Sequence, residues 1–419
     1  MKKLIAVSLT ALCSFCYTQT TKEEIFADPN KSGGVYYAYP NSYKKQTPTP
    51  KGYEAFYLSH YGRHGSRWLI NDSDFFGALK ILRNAKKSNV LTKNGENALQ
   101  KLEQIWKIAE GHNGDLTPLG QRQQIGIGQR MTANYPNIFS GNSKIDAKST
   151  IVPRCILSMA NLTNELIRFN PKIEMNQESS DKYMKFLNHH TKESNDFRSQ
   201  DNNWQEEKRK FVADHIKPAR FINNLFSDSD YVYKNVNPDR LMKDFYWIAV
   251  DMQNLDTDIS FYDLFTKEEL FDIWQGVNYQ TYVNDGPSPL SNNLVKNNAI
   301  PLVKNIISEA DNYISNNQKG ANLRFGHDGN IAPLLALMRI EGMDQEETDP
   351  KKVYQIWSTY KAAPMAGNLQ MVFFKNKKGD DVIVKFLLHE NEVKIPVKTD
   401  SFPYYNWKDV RNYLVSITQ

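Results

Sequence analysis

The chain has 419 residues, 40% hydrophobic and 24% charged, an ordinary globular balance that excludes wholesale disorder and leaves length for two or three domains. Its formal charge of +5 is too weak for a protein that coats nucleic acid, which carries a strong basic excess on one domain. Residues 1–18 have the layout of a secretory signal: Lys2 and Lys3, an apolar stretch from Leu4 to Phe15, then small and polar residues near Thr18. That stretch is too short to span a bilayer as a helix. No other long apolar run follows, so an exported protein without an integral membrane span is expected, periplasmic or at a bacterial-type cell surface. A buried first helix is the plainer alternative. Lipidation is a second, although Leu12 before Cys13 and Phe15 before Cys16 do not give the usual Leu-x-small-Cys context. Cleavage would remove Lys2 and Lys3 from 52 basic residues set against 47 acidic ones, leaving +3. It would also leave Cys155 as the one cysteine of three, which rules out an internal disulfide and zinc sites built on cysteine pairs.

Residues 29–52 are rich in Pro, Gly, Ser and Tyr and read as an extended arm. The aromatic run Glu54 to Tyr61 reads as a strand, with Gly62 turning after it. Amphipathic helices fit 73–87 and 94–110. Thr117-Pro118 supplies an N-cap and a first-position proline for a helix to about Asn134. A strand at 145–152, a helix at 154–169 and a strand at 172–178 follow. From about 180 to 295 the chain is dense in Lys, Glu, Asp and Asn, with aromatics at helical spacing, which predicts a mainly helical insertion. Ile306, Ala310 and Ile314 mark a helix stripe, Asn322 to Phe325 a short strand, and Ile331, Leu334, Leu335 and Met338 the next helix face. Strands near 369–375 and 381–388 are joined by a turn at 377–379, and a last helix fits 405–416. This order predicts an α/β fold: an open, mostly parallel sheet flanked by helices, with an inserted α-helical cap domain. The expected divisions are a signal at 1–18, core at 19–178, cap at 179–297 and core again at 298–419. The cap and the 20–52 arm are expected to wall the pocket.

Ligands in open α/β sheets sit beyond the carboxyl ends of strands, and two such ends carry unusual residues. Gly62-Arg63-His64-Gly65-Ser66-Arg67 follows the first strand. Arginine forks match phosphate or carboxylate, and imidazole between them is a competent nucleophile toward phosphorus. A basic surface turn is the alternative. Phe325-Gly326-His327-Asp328-Gly329-Asn330 follows another strand and opens a helix. There His327 could hold an anion and Asp328 could protonate a leaving alkoxide, or Asp328 could simply cap the helix. His189-His190 reads as a solvated helix face, His60 as a structural neighbour of the site, and Arg324 as pointing away from it.

Together the strings resemble the histidine acid phosphatase family, the branch of the histidine phosphatase superfamily that includes phytases, glucose-1-phosphatases and multiple inositol polyphosphate phosphatases. Arg63-His64-Gly65-Ser66-Arg67-Trp68-Leu69 matches R-H-G-x-R-x-P except that Leu69 replaces proline, and His327-Asp328 matches the H-D form of the second motif. Leu116 to Gly120 is similar to the family's L-T-P-L-G helix start. Ser149 to Cys155, with Ser158, resembles the segment that supplies a third phosphate-binding arginine, Arg154. The resemblance implies His64 as the nucleophile that becomes phosphohistidine, Arg63, Arg67, Arg154 and His327 as phosphate ligands, and Asp328 as the proton donor. It implies no metal and no other cofactor. The expected function is an exported acid phosphomonoesterase, a monomer acting on small phosphate esters, with phytate as leading substrate. The alternatives are a sugar phosphatase or broad acid phosphatase, a mutase, and an inactive binder on the same scaffold.

Overall fold

Among the described residues, eight strands share one sheet. A computed structural model describes residues 20–378 and 381–419. The strands are β1 (Tyr53–Arg63), β2 (Lys144–Ser149), β3 (Glu174–Ser179), β4 (Gly320–Gly326), β5 (Asn368–Asn376), β6 (Val382–Leu388), β7 (Asn391–Val393) and β8 (Tyr405–Asn406). They lie in the order β3-β2-β4-β1-β5-β6-β7, with β8 paired to β6. The four strands from β3 to β1 are parallel, and β5 returns antiparallel between β1 and β6. A central strand buried on both faces shows an apolar run rather than alternation, and β1 carries one from Ala55 to Leu58 before its polar residues Ser59, His60 and Arg63 near the site.

The α-helices of seven or more residues are α1 (Thr21–Ala27), α2 (Ser73–Lys87), α3 (Lys93–Ala109), α4 (Pro118–Asn134) and α5 (Pro153–Phe169), then eight between β3 and β4, of which the first seven lie within 181–285. These seven are α6 (Asp181–Leu187), α7 (Lys192–Ser199), α8 (Asn203–His215), α9 (Ala219–Leu225), α10 (Ser229–Asn235), α11 (Pro238–Asp251) and α12 (Lys267–Asp285). The sheet is completed by α13 (Ile300–Ser315) before β4 and α14 (Asp328–Leu337) after it, and α15 (Trp407–Ser416) closes the chain. One sheet face packs Leu58, Ala147, Leu323 and Phe325 against Ile127 of α4 and Leu162 of α5. The other packs Tyr57 and Phe373 against Leu302 and Ile306 of α13 and Leu414 of α15. A third core is wholly helical. It joins Leu79 of α2 and Leu102 of α3 to Phe221 of α9 and Phe245 of α11. The helical layer over the strand ends is thus built from two separate stretches of chain.

Three expectations are corrected. Residues 29–36 form a 3-10 helix instead of extended chain, because Pro29 opens it and the Asp28 carboxylate accepts from the Asn30 N–H. The strand expected at 145–152 ends at Ser149, where the backbone turns toward Pro153 at the start of α5. His189 and His190 are not on a helix face. α6 stops at Leu187, and both histidines sit half-buried in the following loop. The segment expected as a signal, 1–18, lies outside the described residues, as does Gly379 of the expected turn. Among the described residues no helix is long and apolar enough to cross a membrane.

Candidate active site

Because β2, β4 and β1 are neighbours and parallel, the residues after them converge at one sheet edge. The loop after β1 is pinned on both sides: Arg63 N–H donates to Gly367 O at 2.8 Å, His64 N–H to Gly326 O at 3.1 Å, and Ala366 N–H to His64 O at 2.9 Å. From α4, Gln124 Nε2 donates to Arg63 O at 3.1 Å, while Gln123 both accepts from Ser66 N–H and donates to Ser66 Oγ. Thr117 caps α4 by accepting from Gly120 N–H, and its hydroxyl donates to Ser66 O. The two glycine-bearing strings therefore meet backbone to backbone. A Cβ on Gly120 would stand 2.2 Å from Ser66 O, and one on Gly65 2.4 Å from Gly120 O.

This contact reverses the usual effect of a helical Gly→Ala change, which stabilises by roughly 1 kcal/mol. Gly120→Ala is expected to destabilise by about 1–3 kcal/mol, the range for forced overpacking, and to cut turnover by displacing the loop. Chemical denaturation and steady-state kinetics check both. An Ala variant as stable and active as the parent would contradict the close approach.

His64 is 1% exposed. Its Nδ1 lies 2.9 Å from Gly65 O, an acceptor only, so Nδ1 carries the proton and Nε2 keeps its lone pair. Gly65 N–H in turn donates to Ser158 Oγ, whose hydroxyl donates to Arg154 O on the first turn of α5. Burial, then the charges of Arg63, Arg154 and Arg67, hold the His64 pKa well below its usual value. These effects favour the neutral imidazole.

Three guanidiniums surround it. Arg63 is fully buried, with Nη1 donating to Val35 O and to Ala363 O at 2.8 Å. Its Nη2 faces Asp328 Oδ1 at 3.5 Å, and neither Nη2 nor Nε has a hydrogen-bond partner. Arg67 donates from Nη1 to Trp68 O and sits over the Tyr36 ring, with Cζ 4.5 Å from its centroid and Nε unpartnered. Arg154 is half-buried, and its Nε is also without a partner. Burial lowers the Arg63 pKa to about 10, with Arg67 and Arg154 adding to the effect and Asp328 opposing it. Clustered like charges with unused buried donors fit a multiply charged oxyanion.

His327 stands opposite, its ring 5.8 Å from that of His64. Its Nε2 is 3.1 Å from Thr150 Oγ1, and burial first of all lowers its pKa to about 4. His327, not Asp328, occupies the N-cap position of α14, without a side-chain cap bond. Asp328 begins the helix with its side chain 33% exposed. Burial pushes its carboxyl pKa up, but Arg63, Arg67 and His327 together hold it below the ordinary carboxylate value. Cys155 is buried, its Sγ 3.8 Å from His327 Nε2, and burial raises its pKa to about 11.

The structure thus brings His64, Arg63, Arg67, Arg154, His327 and Asp328 to one sheet edge. His60 lies inside the sheet, tilted against Phe325, with neither ring nitrogen bonded. Arg324 faces the opposite side of the sheet, donating to Asn305 and Ser59. His190, read from sequence as solvated, accepts from Arg198 Nη1 at 2.9 Å, and Arg198 also binds Asp285. Asp285 approaches the start of α14, its Oδ1 3.4 Å from where a Cβ on Gly329 would stand. Asp251 and Asn254, from the helical stretch between β3 and β4, carry no sequence motif yet also reach the site. Asn254 Oδ1 accepts from Ser66 Oγ at 2.7 Å, its Nδ2 donates to Tyr36 O and to Asp251 Oδ1, and the Arg67 charge acts on buried Asp251.

These groups set the acid stability of the protein. His60, His64, His190, His327 and His389 all have native pKa values lowered by burial, to about 3 or 4 where a value stands. Near pH 5 the four with values are neutral when folded and protonated when unfolded, and the shift of His64 acts in the same direction. Asp251 and Asp285, raised by burial to about 7 and about 6, act in the opposite sense. Burial raises Asp244 and Asp272 as well, but between about pH 5 and 6.5 the histidines dominate, so unfolding takes up protons and stability rises with pH there. The urea midpoint without phosphate is expected to be lower at pH 5 than at pH 6.5. An equal or higher midpoint at pH 5 would contradict this set of buried neutral histidines.

A sequence model described as the histidine phosphatase superfamily (branch 2) matches residues 29–389. No curated protein sequence matches the chain. Among solved structures, the Bifidobacterium longum multiple inositol polyphosphate phosphatase in complex with inositol hexasulfate is similar, with a TM-score of 0.77 and 18% identity over 92% of this chain and 97% of that one. The phytase from D. castellii has a TM-score of 0.70 and 14% identity over 93% of this chain and 85% of that one. At these identities the likeness is one of fold.

Proposed function

The chain belongs to the histidine phosphatase superfamily, branch 2, and is a phosphatase; from that premise we propose that it hydrolyses phosphate monoesters through a phosphohistidine formed on His64. The observation that carries this reading is the free Nε2 lone pair of His64 among three guanidiniums that keep four buried nitrogens without protein partners, Arg63 Nε and Nη2, Arg67 Nε and Arg154 Nε. Arg63, Arg67 and Arg154 bind the transferred phosphoryl group and offset the charge on its equatorial oxygens, with His327 donating from the far side. Nε2 attacks phosphorus, the bond to the ester oxygen breaks, and Asp328 delivers a proton to that oxygen. Water then attacks the phosphohistidine and passes a proton to the Asp328 carboxylate, which restores free His64 and releases phosphate.

The low Asp328 pKa in the empty site does not conflict with this role. A bound phosphate cancels the pull of Arg63 and Arg67, and a monoanionic ester brings a proton of its own. Phosphate esters lose that proton near pH 6, so we expect kcat/KM to decline above about that pH.

Phytate is our leading substrate. Support comes from the basic pocket and from two fold neighbours, one named as a phytase and one in complex with inositol hexasulfate. Phosphate release from phytate, glucose 1-phosphate and an aryl phosphate at about pH 5 tests it. Faster turnover of glucose 1-phosphate than of phytate would reverse the substrate choice. No release from any ester would remove the enzymatic reading. Because arginines supply the positive charge in this mechanism, EDTA is expected to leave the rate unchanged. Loss of activity with EDTA, restored by a divalent cation, would contradict the mechanism.

A further inference from the structure

On the side of β2 and β4 that α6 and α13 cover lies a cavity of about 470 Å³. Its lining includes Lys148, Lys182, Lys185 and Arg324, set against Asp146 and Glu309. Strand alternation puts it there. Leu323 and Phe325 point into the α4–α5 core, so Asn322 and Arg324 point the other way. None of these residues belongs to the His64 site.

Arg324 is the unusual member. It is 2% exposed, and its bonds go to neutral oxygens: Nε to Asn305 Oδ1 at 2.8 Å and Nη1 to Ser59 Oγ at 3.0 Å. Its Nη2 has no partner. A buried guanidinium is normally matched by an anion, because a charge taken out of water costs more than neutral bonds return. Asp146 does not supply the match, since it holds Lys148. Lys182 and Lys185 occupy exposed positions of α6 at the rim. The four cations of the lining outnumber its two carboxylates, with Glu178 a third carboxylate near Lys148 and Lys182, and leave a positive excess around one fixed, free guanidinium nitrogen.

We propose that this cavity binds a small phosphate-type oxyanion, with Arg324 at its base and Lys182 and Lys185 at its rim. The guanidinium orients the anion through its free nitrogen, and the two ammonium groups close over it. The carboxylates of Asp146 and Glu309 set the limit of the charged end, so hydroxyls or a cationic group on the ligand would lie toward them.

Equilibrium dialysis of the full chain against labelled inorganic phosphate, in about 0.15 M chloride to screen exposed lysines, tests the site. Wild type is expected to bind one more phosphate per chain than the Lys182→Ala/Lys185→Ala double variant. That variant changes exposed residues only, so its aryl-phosphate turnover should stay within about twofold of wild type. Arg324→Lys keeps the charge but not the fork, and should weaken the same phosphate at least about tenfold. Equal phosphate counts and affinities in wild type and both variants would overturn the proposal. The comparison is between chains with the same His64 site, so its outcome is separate from that of the catalytic reading.

Discussion

Replacing His64 by Ala should lower phosphate release at least about 10⁴-fold, which corresponds to about 5.5 kcal/mol of lost transition-state stabilisation. The size follows from the geometry. His64 Nδ1 is committed to Gly65 O, so Nε2 is the group offered to phosphorus. The other nearby nucleophile, Cys155, is buried with its pKa raised to about 11 and cannot substitute as a thiolate. His327 is turned to Thr150 Oγ1. The arginines remain in the variant, so inorganic phosphate should still inhibit or bind within a few-fold of wild type. That separates loss of chemistry from loss of the site. Truncating a side chain that is 1% exposed also leaves a cavity, so His64→Asn, closer in volume and equally unable to form a stable phosphoryl adduct, serves as the second variant. Activity within about a hundredfold of wild type in both would move the nucleophile elsewhere.

The second large effect is expected at Asp328, and it should depend on the leaving group. Asp328→Asn keeps the shape and removes the transferable proton. An alkoxide leaving from an inositol or sugar is a strong base and must be protonated as it departs. A nitrophenolate is already stable. General acid catalysis supplies about 10²–10⁴-fold, so turnover of alkyl phosphates should fall by that range while nitrophenyl phosphate loses less than about tenfold. The substitution also deprives Arg63 of its facing carboxylate at 3.5 Å. A purely electrostatic or structural role would therefore depress both substrate classes alike. Equal losses across leaving groups would assign Asp328 to positioning Arg63 instead of to proton transfer.

The parts of this site that could be read from sequence are those where local chemistry and local structure coincide. Arg63 to Arg67 and His327-Asp328 are short strings at strand ends, and the parallel pairing of β1 with β4 puts such ends side by side. Thr117-Pro118 announced a capped helix, and the cap residue proved to be the one that holds Ser66. The rest of the site depends on contacts across long stretches of chain. Tyr36 reaches Arg67 because residues 29–36 coil into a 3-10 helix, and no periodicity marks that. Asp251 lies some 185 residues from the loop it supports. Its one local signal is a carboxylate on the line of the apolar stripe Leu241, Phe245, Ile248, where a buried acid needs a partner. His190 sits in a charged stretch with no metal-ligand spacing beside it, which from sequence favours a solvated helix face. The end of α6 at Leu187 turns it inward to Arg198 instead.

The central claim is a covalent phosphoryl group on His64, and the most direct measurement is to trap it. The enzyme mixed with a labelled aryl phosphate and quenched within milliseconds into alkali, where phosphoramidates survive, should carry label on one peptide. Fragmentation should place that label on His64, at up to one phosphoryl group per chain, with none in His64→Ala and more in Asp328→Asn if the second step is slowed. Full hydrolysis with no labelled peptide at any quench time, or label that persists in His64→Ala, would contradict the account.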